Sequence, residues 1–153
     1  MVRWAGIAQT AYELSLKGLE QQERVLDELR NRTGTLLAAS SLVAAFLGAR
    51  ALDQGSRLVA AVAVAALIGS IGSSVYILLP KSNLVFAMRG TVFADSIGLD
   101  VSEDDAHRWL AAWVESYRDE NQPTIDRLFW WFRIATLGVL LEIILFGVSI
   151  AIG

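Results

Sequence analysis

Ile134-Ala135-Thr136-Leu137-Gly138-Val139-Leu140-Leu141-Glu142-Ile143-Ile144-Leu145-Phe146-Gly147-Val148-Ser149-Ile150-Ala151-Ile152-Gly153 is an apolar run interrupted by one acid, Glu142. A hydrocarbon core of roughly 30 Å is crossed by about 20 helical residues, and this run reaches that length. Working outward, two uncharged stretches match it, Leu58 to Leu79 and Thr33 to Ala49, the second by borrowing flanking stems. The expected fold class is an all-α integral membrane protein with three transmembrane helices plus cytoplasmic amphipathic helices. An ionisable side chain near a bilayer midplane costs at least about 2.5 to 3.5 kcal/mol unless a partner or water receives it. Glu142 is therefore the most pointed residue in the chain.

Hydrophobic residues make up 54% of the sequence and lie in blocks, not at the periods of a soluble core. Cysteine is absent, which removes disulfides, thiolate metal sites and cysteine nucleophiles. The N-terminus does not read as a cleaved signal, because Gln9, Thr10 and Glu13 interrupt the segment between Arg3 and Lys17. Arg3, Lys17, Arg24, Arg30 and Arg32 precede the first stretch, and Lys81, Arg89, Arg108, Arg118, Arg127 and Arg133 lie between the second and third. Only Arg50 and Arg57 lie between the first and second. Basic residues near membrane ends stay inside, so the N-terminus is expected in the cytoplasm and the C-terminus outside. The net charge of −3 says little about partners, because acids from Asp95 to Asp126 mask a juxtamembrane basic ring of Arg30, Arg32, Lys81, Arg127 and Arg133. That ring suits anionic headgroups, and topology signalling accounts for it equally well.

Along the chain the expected segments are 1–33, a cytoplasmic amphipathic helix; 34–80, a two-span hairpin; 81–127, a cytoplasmic helical segment; and 128–153, the third span. Tyr12, Leu16, Leu19, Leu26 and Leu29 recur at helical steps between Ile7 and Arg32. Glu13 to Lys17, Glu20 to Arg24 and Glu28 to Arg32 are acid-before-base pairs four apart, each adding a few tenths of a kcal/mol. With no proline between them, this helix and the first span are expected to form one rod of about 40 residues, roughly 60 Å long. Leu52-Asp53-Gln54-Gly55-Ser56 is a tight polar turn, so the first two spans pair antiparallel. Pro80 closes the second span, and Asn83 to Ile97 reads as an interfacial or packed amphipathic helix, with an extended Thr91-Val92-Phe93 as the alternative. Ser102 with Asp105 caps the next helix, whose apolar side runs Ala106, Trp109, Leu110, Trp113 and Tyr117. Glu103, Asp104 and Asp105 complement its dipole. Gln122-Pro123-Thr124 is read as a restart, and Phe129-Trp130-Trp131-Phe132 as an interfacial belt.

No zinc-protease motif, phosphate-cradling loop or serine elbow is present, and the only histidine, His107, reads as solvated. No catalytic residue, metal site or cofactor is expected, and no nucleic-acid partner. Small residues crowd the first two spans: Ser40, Ser41, Ala44, Ala45 and Gly48, then Gly69, Ser70, Gly72, Ser73 and Ser74. Their four-residue spacing lets helix backbones approach closely within or between subunits. Counting from Arg133 and from Pro80 puts Glu142 and Ser70 both roughly 14 to 15 Å deep, with Ser73, Ser74, Ser40 and Ser41 a little shallower. Three roles stay open for Glu142: a neutral acid bonded to Ser70 or a backbone carbonyl, a pore- or assembly-lining group, and a proton or ion relay.

The run Leu26-Asp27-Glu28-Leu29-Arg30-Asn31-Arg32-Thr33-Gly34, continuing into Leu36-Leu37-Ala38-Ala39-Ser40-Ser41-Leu42-Val43-Ala44-Ala45-Phe46-Leu47-Gly48, resembles small bacterial membrane proteins. More distantly it is similar to the transmembrane effectors of nucleotide-signalling anti-phage systems, the SLATT and Pycsar membrane-effector type. The chain departs from them by adding a third span and lacking a recognisable cyclic-nucleotide-binding domain. The resemblance implies membrane disruption triggered by assembly or by a partner. The expected function is a homo-oligomeric effector of the bacterial inner membrane, with Glu142, Ser70, Ser73, Ser74, Ser40, Ser41, Gly48 and Gly69 lining the pore or assembly. Two alternatives are a membrane anchor that recruits a cytoplasmic protein through Trp109, Trp113 and Tyr117, and a small ion or proton channel.

Overall fold

The computed structural model describes residues 6–86 and 102–152. Regular structure among them is helical: α1 (Ile7–Val43), a π-helical turn (Ala44–Gly48), α2 (Ala49–Gln54), α3 (Arg57–Leu78) and α4 (Glu103–Ile152). Three helices are long and apolar enough to cross a membrane: Ile7–Asp53, Arg57–Leu78 and Glu103–Ile152. The first runs without a break from the charged region into the apolar one, since nothing in the sequence removes a backbone donor there.

Pro123 does not restart the last helix; it lies inside α4. A proline in a helix interior removes one backbone hydrogen bond and crowds the preceding turn, at about 3 kcal/mol. Here it sits on the exposed side, while Asn121, Ile125 and Leu128 on the opposite side are buried, so packing carries the helix through. At the front end of α4, Ser102 caps as expected: its Oγ accepts from the Asp105 N–H at 3.2 Å and donates to the Asp105 carboxylate at 2.6 Å. Asn83 to Phe86 is turn and irregular backbone, not the start of a helix. The rest of that expected helix, Ala87 to Ile97, lies outside the described residues.

The chain divides into two compact units, Met1–Asp27 with Lys81–Ile125, and Glu28–Pro80 with Asp126–Gly153. In the first unit the early parts of α1 and α4 run in the same direction. Tyr12 stacks near His107 with ring centroids 5.8 Å apart, and further along Gln22 reaches Arg118 and Gln122. In the second unit α1 and α4 are again parallel, since Ser40 meets Glu142 and Gly48 then faces Phe146. There α3 runs against α4: Ser56 pairs with Ser149, Ser70 with Ala135, and Tyr76 with Trp131.

Burial recurs every seven residues on both long helices. Leu19, Leu26, Thr33 and Ser40 form one column on α1, and Val114, Asn121, Leu128, Ala135, Glu142 and Ser149 form one on α4. A seven-residue repeat is the spacing that keeps one seam of a helix turned toward a partner helix. After Ser40 the next step would present Leu47, yet Gly48 and Ala51 are the buried residues. The extra residue taken up by the π turn shifts the seam by one position. It brings glycine under the Phe146 ring, where an added Cβ would stand 3.4 Å from the ring.

Candidate functional site

Glu142 is fully buried, at 0% exposure, as is Ser40 across the α1–α4 seam. Ser40 Oγ donates to Glu142 Oε2 at 2.7 Å. Glu142 Oε1 is buried with no hydrogen-bond partner among the described residues. The carboxyl group is thus enclosed within one chain and half satisfied, with Val139 and Phe146 buried one turn to either side on the same helix.

The partner is Ser40 and not Ser70. Ser70 Oγ donates instead to the Ala135 carbonyl at 3.0 Å, seven residues before Glu142 and so about 10 Å along the helix. Pro80 and Arg133, the positions from which the two depths are counted, are not level. Because Tyr76 packs on Trp131 at a 5.3 Å centroid separation, the Pro80 end of α3 lies on the N-terminal side of Trp131. Ser70 therefore belongs to a layer nearer the belt.

The other small residues separate by face. Ser73 Oγ donates to the Gly69 carbonyl within its own helix at 2.8 Å, and Ser74 Oγ is buried with no partner among the described residues. Ser41 is exposed and donates to the Leu37 carbonyl at 2.9 Å. Gly69 faces outward with nothing near the place of a Cβ. The glycine that lets α3 and α4 touch is Gly138, where a Cβ would meet the Ser70 Cβ at 3.0 Å. Gly138 is not among the small residues expected to line the assembly, yet it lies one turn before Glu142 in the last apolar run. At the far end, Ser149 Oγ donates to the Ser56 carbonyl at 3.2 Å, and Ser149 packs so tightly on Gly55 that no side chain fits there.

In the first unit the buried polar groups are amides that the sequence reading did not single out. Gln22 Nε2 donates to the Arg118 carbonyl at 3.1 Å and to Gln122 Oε1 at 2.9 Å. Asn121 takes the Val85 N–H on its Oδ1 at 3.1 Å and gives its Nδ2–H to the Val85 carbonyl at 2.9 Å. The aromatics expected on the apolar side of α4 are displaced from the seam, which is formed by Leu110, Val114 and Asn121. Trp109 is 59% exposed and stacks on Trp113 at 6.4 Å, which stacks on Tyr117 at 5.7 Å. His107 is half-buried against Tyr12 instead of solvated. Among the described residues no group of three His, Asp or Glu side chains could hold a metal ion. No family model, no curated protein and no solved structure matches the chain.

Proposed function

We propose that this chain is a non-catalytic, homo-oligomeric effector of the bacterial inner membrane, with its N-terminus in the cytoplasm. Its cytoplasmic helical regions, Ile7 to Arg32 and Ser102 to Glu120, take an activating input, and its three spans then reorganise and permeabilise the bilayer. The observation that carries this reading is the enclosed carboxyl group of Glu142, which has one oxygen on Ser40 and the other on no donor among the described residues. A polar group left unpaired in an apolar surrounding costs free energy that water or a new donor returns. A closed seam built over such a group is biased toward opening, and the opened seam presents carboxyl and hydroxyl groups to water. Ser41 and Gly69, turned outward, give a second copy a small-residue face to approach.

Induced expression in bacteria is expected to admit a membrane-impermeant dye and to depolarise the cells. Glu142→Leu, which removes the half-satisfied group and fills the seam with apolar atoms, is expected to abolish dye entry with membrane insertion unchanged. Intact membranes on induction of the wild-type chain would count decisively against the effector reading. One observation favours a second reading, a membrane anchor for a cytoplasmic protein: the Trp109–Trp113–Tyr117 ladder with Trp109 exposed. Under that reading a Trp109→Ala, Trp113→Ala double change releases the partner and Glu142→Leu has no effect.

A further inference from the structure

Arginines in the charged regions have acids within helical reach. Arg32 pairs with Glu28, Arg118 with Glu115 at 3.0 Å, and Arg108 approaches Asp104 at 3.7 Å. Arg127 and Arg133, where α4 enters its apolar run, differ. The residues three and four positions away are Pro123, Thr124, Trp130 and Trp131 for Arg127, and Phe129, Trp130, Thr136 and Leu137 for Arg133. None is an acid. Both arginines are exposed, and Asp126, the acid at the head of the same side, already has a partner.

Arg127, Trp130 and Arg133 follow one another at three-residue steps, so on a helix of 3.6 residues per turn the indole lies between the two guanidinium groups. Trp130 is 55% exposed. Continuing down that side come Leu137, Leu141, Ile144 and Val148, all exposed, while Leu128, Ala135 and Glu142 are buried on the opposite side. Two cations with no ion pair among the described residues, an indole N–H donor and an aliphatic track match the parts of one molecule. Guanidinium groups bind phosphate oxygens, the indole sits at the headgroup boundary, and acyl chains lie along leucine and isoleucine.

We propose that Arg127, Trp130 and Arg133 form a headgroup site for an anionic phospholipid, with its acyl chains along Leu137, Leu141 and Ile144. The inference rests on the spans lying in a bilayer and not on permeabilisation. The charge complementarity is specific to this side of the helix. Elsewhere on α4 the cations are met by neighbouring carboxylates.

The test is native mass spectrometry of the full chain, extracted in detergent and titrated with equal amounts of phosphatidylglycerol and phosphatidylcholine of the same acyl composition. Wild type is expected to retain phosphatidylglycerol roughly thirtyfold in excess, the ratio that about 1 kcal/mol for each of two basic residues at a membrane surface gives. R127Q/R133Q is expected to bring the ratio near unity. K17Q/R24Q removes the same charge from the cytoplasmic part of α1 and should leave the ratio unchanged. An excess of inorganic phosphate should not displace the lipid. Equal retention of both lipids by wild type, persistence of the preference in R127Q/R133Q, an equal fall in K17Q/R24Q, or displacement by phosphate would each overturn the site. Recovery of the protein in the soluble fraction would overturn the site and the membrane reading together, whereas membrane recovery without headgroup preference overturns the site alone.

Discussion

Asn121 and Glu142 stand on the same buried column of α4, yet they are treated in opposite ways. Asn121 exchanges two hydrogen bonds with the backbone of Val85, so both ends of its amide are matched and the irregular segment around Val85 is tied to α4. Glu142 has one hydroxyl for two oxygens, and its surroundings are the flanks of helices whose own backbone groups are already paired. The difference lies in what each neighbourhood can offer. A non-helical segment has free backbone donors and acceptors, while packed helices have only side chains to give. A satisfied polar group in a seam holds one arrangement, and an unsatisfied one leaves room for another.

The contrast can be broken first at Asn121. Asn121→Ala should strand the Val85 N–H and C=O and lower stability by about 1 to 3 kcal/mol, with faster hydrogen exchange at the Val85 amide as the local sign. Unchanged exchange there would mean the pair does not anchor the segment. Ser40→Ala removes the last partner of Glu142 and should cost less, about 0.6 kcal/mol and at most about 1.7, as is usual for hydrogen bonds between membrane helices. Reversible unfolding in mixed micelles would measure it, and a loss as large as that of Asn121→Ala would remove the distinction between the two sites. Gly69→Ala should change stability by less than about 0.5 kcal/mol in monomeric protein, because nothing stands near the added methyl group. In the same micelles Gly138→Ala should be clearly destabilising, since its methyl group meets Ser70 at 3.0 Å.

The elements legible in the sequence are those that one helix decides alone. Apolar runs of sufficient length and the Ser102 cap follow from composition and from local hydrogen bonding, and both are present; the expected Leu52-to-Ser56 turn is shorter, since α2 continues through Gln54 and only Gly55 and Ser56 separate it from α3. Reading Pro123 as a restart weighed a local cost without the seam contacts of Asn121, Ile125 and Leu128 that outweigh it. Grouping Trp109, Trp113 and Tyr117 with Leu110 on one apolar side followed residue type, and the three rings do line up. The seam instead follows the seven-residue column through Val114 and Asn121, with Leu110 one turn before it, because a long helix pair must keep one line facing its partner.

For Glu142, burial among apolar residues was written in its position along the last run, since every neighbour within a turn is uncharged and the cost of an exposed carboxylate there is independent of fold. Its partner was not. Ser40, Ser70, Ser73 and Ser74 were chemically equivalent candidates, and the choice among them depends on the sliding register of α1 and α3 against α4. That register is decided by contacts distant in sequence: Gly138 letting α3 close on α4, Tyr76 seated on Trp131, and the π turn moving Gly48 beneath Phe146. Close packing is short-ranged and fits only when both surfaces meet, so no single helix carries the answer.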